Sequence, residues 1–293
     1  VQVGNFEAGG LENVVLELNE FLRGCGMRLA LVVLGTQGAA AERARQLGQR
    51  LIALDYSSAS YRELLQRLKP KVVLSHYSIE GVEVCHELNV PVVQVIHNIY
   101  MWLAGEELRR FKDAAALTSR FVAVSAAVKE YSVRGLGVET DRCDVIGNGI
   151  DVDQFTGSDR MVARDRLRKR YGIGINDFVF LDMAAINHQK NHADVVRAFS
   201  RAVHGWDNAK LVVVGPVYEK GLYDEIRTLV KEANLDSRIL LIEPTSKPWD
   251  FYAMADAFVG GSIFEGGRLT LLEAMVSDLP VIFPKVGVAE RYG

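Results

Sequence analysis

Two carboxylates eight positions apart, Glu265 and Glu273, are the residues in this chain whose types and spacing best suit chemistry on a charged ligand. Glu265 follows the strand-like run Ala257-Phe258-Val259, at the start of a turn containing Gly266-Gly267. Glu273 falls about one turn inside the apolar helical segment that begins near Leu269. Glycines let backbone N–H groups approach a ligand closely, and a helix N-terminus favours phosphate. Backbone at Gly266, Gly267, Arg268, Leu269 and Thr270 can therefore hold a diphosphate while the two carboxylates accept bonds from hydroxyls on either side. That grip suits a sugar nucleotide. Two Glu at this spacing also occur as a solvated loop residue and a helix-surface residue, and the spacing alone does not separate these readings.

Three further positions extend the constellation. Lys190 stands at an expected loop-to-helix junction, where an ammonium could neutralise a diphosphate as its bond to a sugar breaks; the plain alternative is an exposed lysine at a helix start. His97 ends the apolar run Val93-Gln94-Val95-Ile96. Its imidazole titrates near neutrality and could act as a base, or it could be a satisfied histidine at a strand end. His76 ends a similar run and reads as a lining residue rather than a catalytic one. Gly9-Gly10 precede a helix with Glu12 in its first turn, a weak signal alone. His188 and His192 flank Lys190 without a third metal ligand, so no metal site is expected. Ser125 reads first as a helix cap, with a ligand contact as the second option.

Short β-rich apolar runs alternate with helical patterns, which predicts parallel α/β layers. In the first half the expected strands are 1–3, 29–34, 72–74, 92–96, 121–124 and 144–146. In the second they are 178–183, 210–214, 239–242, 257–259 and 281–283. The polar, basic stretch from Asp151 to Tyr171 lacks a strand pattern and reads as a linker plus a first helix. Domains are expected at 1–155 and 156–293. Gly9-Gly10, His97, Lys190 and Glu265 each fall just after a strand, where open parallel sheets bind ligands.

The ordered set of motifs resembles glycosyltransferase family 4. Glu265 and Glu273 stand in register with that family's Glu-x7-Glu motif, followed by Ala274-Met275 and Leu279-Pro280-Val281-Ile282. Gly9-Gly10-Leu11-Glu12 looks like its first glycine loop, Val93 to Asn98 like the strand ending in its active-site His, and Phe121 to Ser125 like a later strand. Val145 to Phe155 is similar to its interdomain segment, and Gln189-Lys190-Asn191 to its phosphate-binding lysine. Gly267 replaces a usual aromatic, Arg268 a usual Gly or Pro, and Asp278 a common Gly; Ala185 stands where a helpful Arg is usual.

The resemblance implies an α/β GT-B fold of two facing Rossmann-like domains with parallel sheets, the second incomplete. It implies a retaining, metal-independent hexosyltransferase with a nucleotide diphosphate sugar as donor, a glycan or lipid-linked acceptor, and no cofactor. It assigns Glu273 to the donor ribose and Glu265 to the donor sugar, with Glu265 as a covalent nucleophile the lesser option. Lys190 goes to the diphosphate, His97 to the sugar 6-hydroxyl, and Gly9 and Gly10 to the donor side of the first domain. Arg268 is expected to replace the missing Arg. A degenerate nucleotide-sugar-binding module, or another GT-B enzyme such as a sugar-nucleotide epimerase, are the alternatives.

Composition bounds the rest. The 293 residues suit two domains. A hydrophobic content of 49% supplies ordinary cores. A net charge of −3 gives no nucleic-acid footprint. The basic clusters at Arg43-Arg45-Arg50, Arg109-Arg110-Lys112 and Arg164-Arg166-Arg168-Lys169-Arg170 read as solvated helix faces, with peripheral membrane-surface contact as the second reading. Cys25, Cys85 and Cys143 are scattered and odd in number, which suggests a reducing, cytoplasmic compartment. Val1 is not an initiator Met, and the family pattern continues past Gly293, so the chain reads as a fragment shortened at both ends.

Overall fold

A computed structural model describes residues 1–7, 9–157 and 159–291. The chain divides into two compact units, Val1–Asn148 and Gly149 onward.

The first unit holds strands β1 (Gln2–Val3), β2 (Leu31–Val33), β3 (Leu51–Ala53), β4 (Val73–His76), β5 (Val92–Ile96), β6 (Arg120–Ala123) and β7 (Cys143–Val145). All pair in parallel, in the order β3-β2-β1-β4-β5-β6-β7. Helices α1 (Gly10–Gly24), α2 (Ala39–Gln46), α3 (Ser58–Leu68), α4 (Val82–Glu87), α5 (Gly105–Leu117) and α6 (Ala126–Gly135) connect them. Central strands covered on both faces read as near-continuous apolar runs, as β5 does apart from Gln94. β3 has no such signal. It is a three-residue edge strand with no fully buried side chain, so it lacks that run. Ser125 caps α6, accepting from the Val128 N–H at 3.3 Å.

The second unit opens with α7 (Asp153–Thr156) and α8 (Arg160–Arg170). Its parallel sheet has the order β10-β9-β8-β11-β12. The strands are β8 (Phe178–Met183), β9 (Ala209–Val214), β10 (Ile239–Ile242), β11 (Ala257–Val259) and β12 (Val281–Ile282). The helices between them are α9 (His192–Ala202), α10 (Lys220–Glu232), α11 (Pro248–Met254) and α12 (Leu269–Val276). Phe155 packs edge-on against Tyr252 and joins the core on one face of this sheet; Val196, Phe199 and Ile226 fill the other.

The basic run of α8 is only partly a solvated face. Arg168 is 5% exposed and Arg164 half-buried. Both reach Asp256, at 2.7 and 2.6 Å, and the Asp256 carboxylate also accepts from the Val179 N–H at 2.8 Å. Further bonds from the two guanidiniums go to the carbonyls of Met254 and Ala255 at the end of α11. The sequence shows the charges, but only the packing of α8 on α11 turns two of them inward.

Candidate functional site

In each sheet the chain reverses its direction of travel at one place: between β1 and β4 in the first unit, and between β8 and β11 in the second. Loops leaving two such neighbouring strands part to opposite faces and leave a crevice at their carboxyl ends. In the second unit the β8 loop carries Lys190 and the β11 loop carries Glu265. Although 75 residues apart, Lys190 Nζ lies 2.5 Å from Glu265 Oε1.

Local geometry explains that meeting. Asn187 accepts from the Lys190 N–H at 3.1 Å and closes a 3-10 turn, and Asn191 takes a left-handed φ of 53° before α9 begins. The two loops are tied by the Ile263 N–H donating to Gln189 O at 2.9 Å and by Gln189 Nε2 donating to Phe264 O at 2.9 Å. A Cβ at Gly261 would meet Val195 Cγ2 at 2.8 Å and Asn191 O at 3.0 Å, so glycine permits the approach.

Glu265 is 4% exposed. Besides Lys190 it accepts from Ser262 Oγ at 2.7 Å and Gln189 Nε2 at 3.3 Å. Burial lowers the pKa of Lys190, with Glu265 opposing and the Arg268 charge adding to the drop. A cation and an anion held this close offer the polarity that a breaking sugar–phosphate bond requires: positive charge for the departing oxygen, negative charge for the carbon it leaves.

Arg268 occupies a different place from the one the sequence suggested. Its side chain is 3% exposed. It donates to Asp182 Oδ1 at 3.0 Å, Met183 O at 3.2 Å, Ser262 Oγ at 2.7 Å and Thr270 Oγ1 at 2.7 Å. Its guanidinium also lies over the rings of Phe258 and Phe283, at 5.5 and 4.9 Å. The guanidinium thus braces β8, β11 and the start of α12, and holds the Ser262 hydroxyl that reaches Glu265. The reason is the acid in β8: Asp182, fully buried, needs a cation. An Asp inside the apolar run Phe178–Met183 is the signal that could have revealed this partner.

Gly266 is buried; Gly267, Leu269 and Thr270 are half-buried where α12 begins. Glu273, one turn further, accepts from Tyr252 Oη at 2.6 Å. Burial, then the Glu273 charge, pushes the phenol pKa of Tyr252 well up, so it stays a donor. The second unit therefore gathers Lys190, Glu265, Glu273 and residues 266–270. His192 is fully buried beside Asp182 at 3.6 Å and belongs to the interior.

In the first unit His97 lies beside His76 because β4 and β5 are in register, His76 opposite Val95. His76 Nδ1 and His97 Nε2 are 2.8 Å apart and the rings stack at 28°. Burial lowers His97 to about 4 and His76 well below its usual value, with the neighbouring His97 adding to the drop. Both rings are then neutral near pH 7. His76 Nε2 is buried without a partner. A bare lone pair is tolerated there more readily than a bare N–H. His76 therefore donates through Nδ1, and His97 accepts at Nε2 and keeps its proton on Nδ1. This tautomer makes His97 a hydrogen-bond donor at the strand end rather than a base.

Gly9 and Gly10 are exposed at the start of α1. A Cβ at Gly9 would meet the Glu12 carboxylate at 2.7 Å. Burial and the Glu7 charge raise the pKa of Glu12.

Two family models match the chain. The model of Glycosyltransferase Family 4 matches residues 8–154, and that of the glycosyl transferases group 1 matches residues 163–292. The chain belongs to glycosyltransferase family 4. Together the two matches reach across both units.

An uncharacterized glycosyltransferase of Methanocaldococcus jannaschii is 21% identical over 239 residues, 75% of this family 4 chain and 57% of that protein. A Campylobacter jejuni enzyme, N-acetylgalactosamine-N,N'-diacetylbacillosaminyl-diphospho-undecaprenol 4-alpha-N-acetylgalactosaminyltransferase, is 28% identical over 166 residues, 56% of this chain and 41% of its own. The chain thus spans 57% and 41% of these two relatives' lengths. Among solved structures, Anabaena Alr3699/HepE in complex with UDP and glucose superposes with a TM-score of 0.84 at 18% identity, over 100% of this chain and 82% of that one. That likeness is one of fold, GT-B with two parallel α/β sheets.

Proposed function

We propose that this protein is a retaining glycosyltransferase that moves a hexose from a nucleotide diphosphate sugar to a glycan or lipid-linked acceptor. The observation that carries the reading is the Lys190–Glu265 pair at the strand reversal of the second unit, beside the start of α12. Lys190 would stabilise the leaving diphosphate, and Glu265 the positive charge that develops at the anomeric carbon. Glu273 would accept from the ribose hydroxyls, and backbone at residues 266–270 would hold the phosphates. His97 would donate from Nδ1 to the donor sugar. Arg268 enters as a brace for Ser262 and Glu265. With Lys190 supplying the cation, the reaction as proposed uses neither metal nor cofactor.

The HepE structure with UDP and glucose supports a sugar nucleotide as the ligand class. A lipid-linked acceptor fits the diphospho-undecaprenol in the name of the Campylobacter relative. Among the described residues no helix is long and apolar enough to cross a membrane. A lipid-linked acceptor would bring the protein to the cytoplasmic face of a membrane as a peripheral contact.

A thermal-shift panel of UDP, GDP, ADP, TDP and their sugars, on wild type and Glu273→Ala, tests the site. A ligand at about 100 times its Kd stabilises by about 2.7 kcal/mol. One nucleotide should shift wild type and fail on the variant, and its sugar should be consumed once acceptor is supplied, with the anomeric configuration kept. Binding without consumption would favour a degenerate sugar-nucleotide module. No shift with any nucleotide would overturn the donor site.

A further inference from the structure

The proposed reaction asks one cation to serve two anions. Lys190 pairs with Glu265 at 2.5 Å in the structure, and during transfer its charge is drawn to the leaving diphosphate. Glu265, buried, then needs other donors to stay ionised and in place. Gln189 Nε2 is 3.3 Å away on the other oxygen and also donates to Phe264 O at 2.9 Å. Arg268 Nη1 is 3.7 Å away, beyond hydrogen-bond reach. Ser262 Oγ is the close one. It lies 2.7 Å from Oε1, the same oxygen that Lys190 touches, and the residue is 2% exposed.

The direction of the Ser262 hydroxyl is fixed by its other neighbour. Arg268 Nη1 lies 2.7 Å from Ser262 Oγ. A guanidinium only donates, and a hydroxyl carries a single hydrogen. Ser262 therefore accepts from Arg268 and gives its one proton to Glu265. A hydroxyl whose oxygen is bonded by a cation is polarised and donates more strongly. Arg268 is itself held in place by Asp182 Oδ1, Met183 O and Thr270 Oγ1. A Cβ at Gly260 would meet Arg268 Nη1 at 2.9 Å, so glycine there makes room for the nitrogen that bonds Ser262. The backbone of Glu265 is backed as well. Gly287, at a left-handed φ of 59°, lies where a Cβ would meet Glu265 O at 2.6 Å.

We infer that Ser262 is a positioning residue of the transfer: polarised by Arg268, its hydroxyl holds the Glu265 carboxylate while Lys190 is drawn to the diphosphate. The inference rests on the transferase reading and gives Ser262 a task in the reaction itself.

Two measurements test it. In unfolding, Lys190→Met reproduces the loss of the ammonium. Ser262→Ala should lower Tm by about 2–4 °C in wild type and by at least about twice that in Lys190→Met, where no other close donor remains to Glu265 Oε1. Arg268 keeps Asp182, Met183 and Thr270 in the variant, so it should fold. Turnover is measured as nucleoside diphosphate released from UDP-, GDP-, ADP- and TDP-hexoses with water as acceptor. Ser262→Ala should cut kcat about 10–100-fold and leave the Kd of the nucleotide within about twofold. Ser262→Thr, which keeps the hydroxyl, should regain most of that loss. In a Glu265→Gln background Ser262→Ala should change kcat by less than about twofold, because Ser262 acts through that carboxylate. Equal Tm losses in the two backgrounds, or wild-type kcat for Ser262→Ala, would overturn the inference and leave the transferase standing. No thermal shift of wild type with any nucleotide, or nucleotide binding without release of diphosphate, would remove the transferase and the inference with it.

Discussion

Replacing Lys190 by Met keeps an unbranched, apolar stem and removes only the ammonium, so the change isolates the charge. The Lys190 and Glu265 side chains are 17% and 5% exposed and 2.5 Å apart. Breaking a buried pair from one side costs about 3–5 kcal/mol, because the remaining charge is left without its partner. Glu265 keeps Ser262 Oγ at 2.7 Å and Gln189 Nε2 at 3.3 Å, and the Arg268 guanidinium lies 3.7 Å away. Those groups screen the stranded carboxylate, so the expected loss is roughly 2–3 kcal/mol, below the full range. For a domain of this size each kcal/mol moves Tm by about 2–4 °C, giving a drop of about 4–12 °C. Turnover of the donor should fall about 10²–10³-fold, the usual cost of one stabilising group. The decisive variant is the double one. Lys190→Met/Glu265→Gln leaves neither charge alone and should recover most of the stability but none of the turnover. Unfolding can be followed by the fluorescence of Trp206 and Trp249, both in the second unit. Coupling of about 2 kcal/mol is expected in the cycle. Additive single effects, or Lys190→Met with wild-type Tm and turnover, would refute the claim that this pair is the charged centre of the site.

Other expectations follow from the same geometry. Glu265→Gln should cut turnover far more than Glu273→Gln, which should chiefly raise the donor Kd; equal effects on turnover at unchanged affinity would overturn this division. Arg268→Lys should destabilise nearly as much as Arg268→Met, because an ammonium cannot reach Asp182, Ser262 and Thr270 together; wild-type Tm for Arg268→Lys would show that the fork is not needed. The His76–His97 pair should make the first unit acid-labile. Both imidazoles have folded pKa values below the ordinary 6.5, His97 at about 4, so the pair costs nothing above that value. As pH falls below 6.5 the unfolded chain takes up protons that the folded one refuses, and stability drops by up to about 1.4 kcal/mol per pH unit per ring. Urea titrations between pH 7.5 and 5 should show a loss that His97→Asn reduces; an identical loss in both would remove the pair as its cause. Finally, His76→Asn, which keeps a donor near Nδ1, should preserve the Nδ1–H tautomer of His97 seen by 15N NMR, whereas His76→Leu should release it; an Nε2–H signal from His97 in wild type would refute the assignment.

The sequence by itself shows most of the strands and which residues follow them, but not the edge strand β3. Apolar, β-branched runs such as Leu211–Val214 fit a buried parallel strand, and residues placed just after such runs emerge at the sheet's carboxyl edge. Lys190, Glu265 and His97 can be placed at those edges from the sequence for that reason, as can the cap at Ser125, because their context is local. What the sequence could not supply was the partner of each. Lys190 finds Glu265 because β8 and β11 are neighbours at a reversal of strand order, and His97 finds His76 because β4 and β5 share register. Neither relation is written within a window of chain. Arg268 shows the limit most clearly. Its type and position suggested a ligand cation, but the pull of a buried Asp182, brought across the sheet by β8, turns it inward. Charge is read from the sequence; the field that decides where a charge points is made by the tertiary structure.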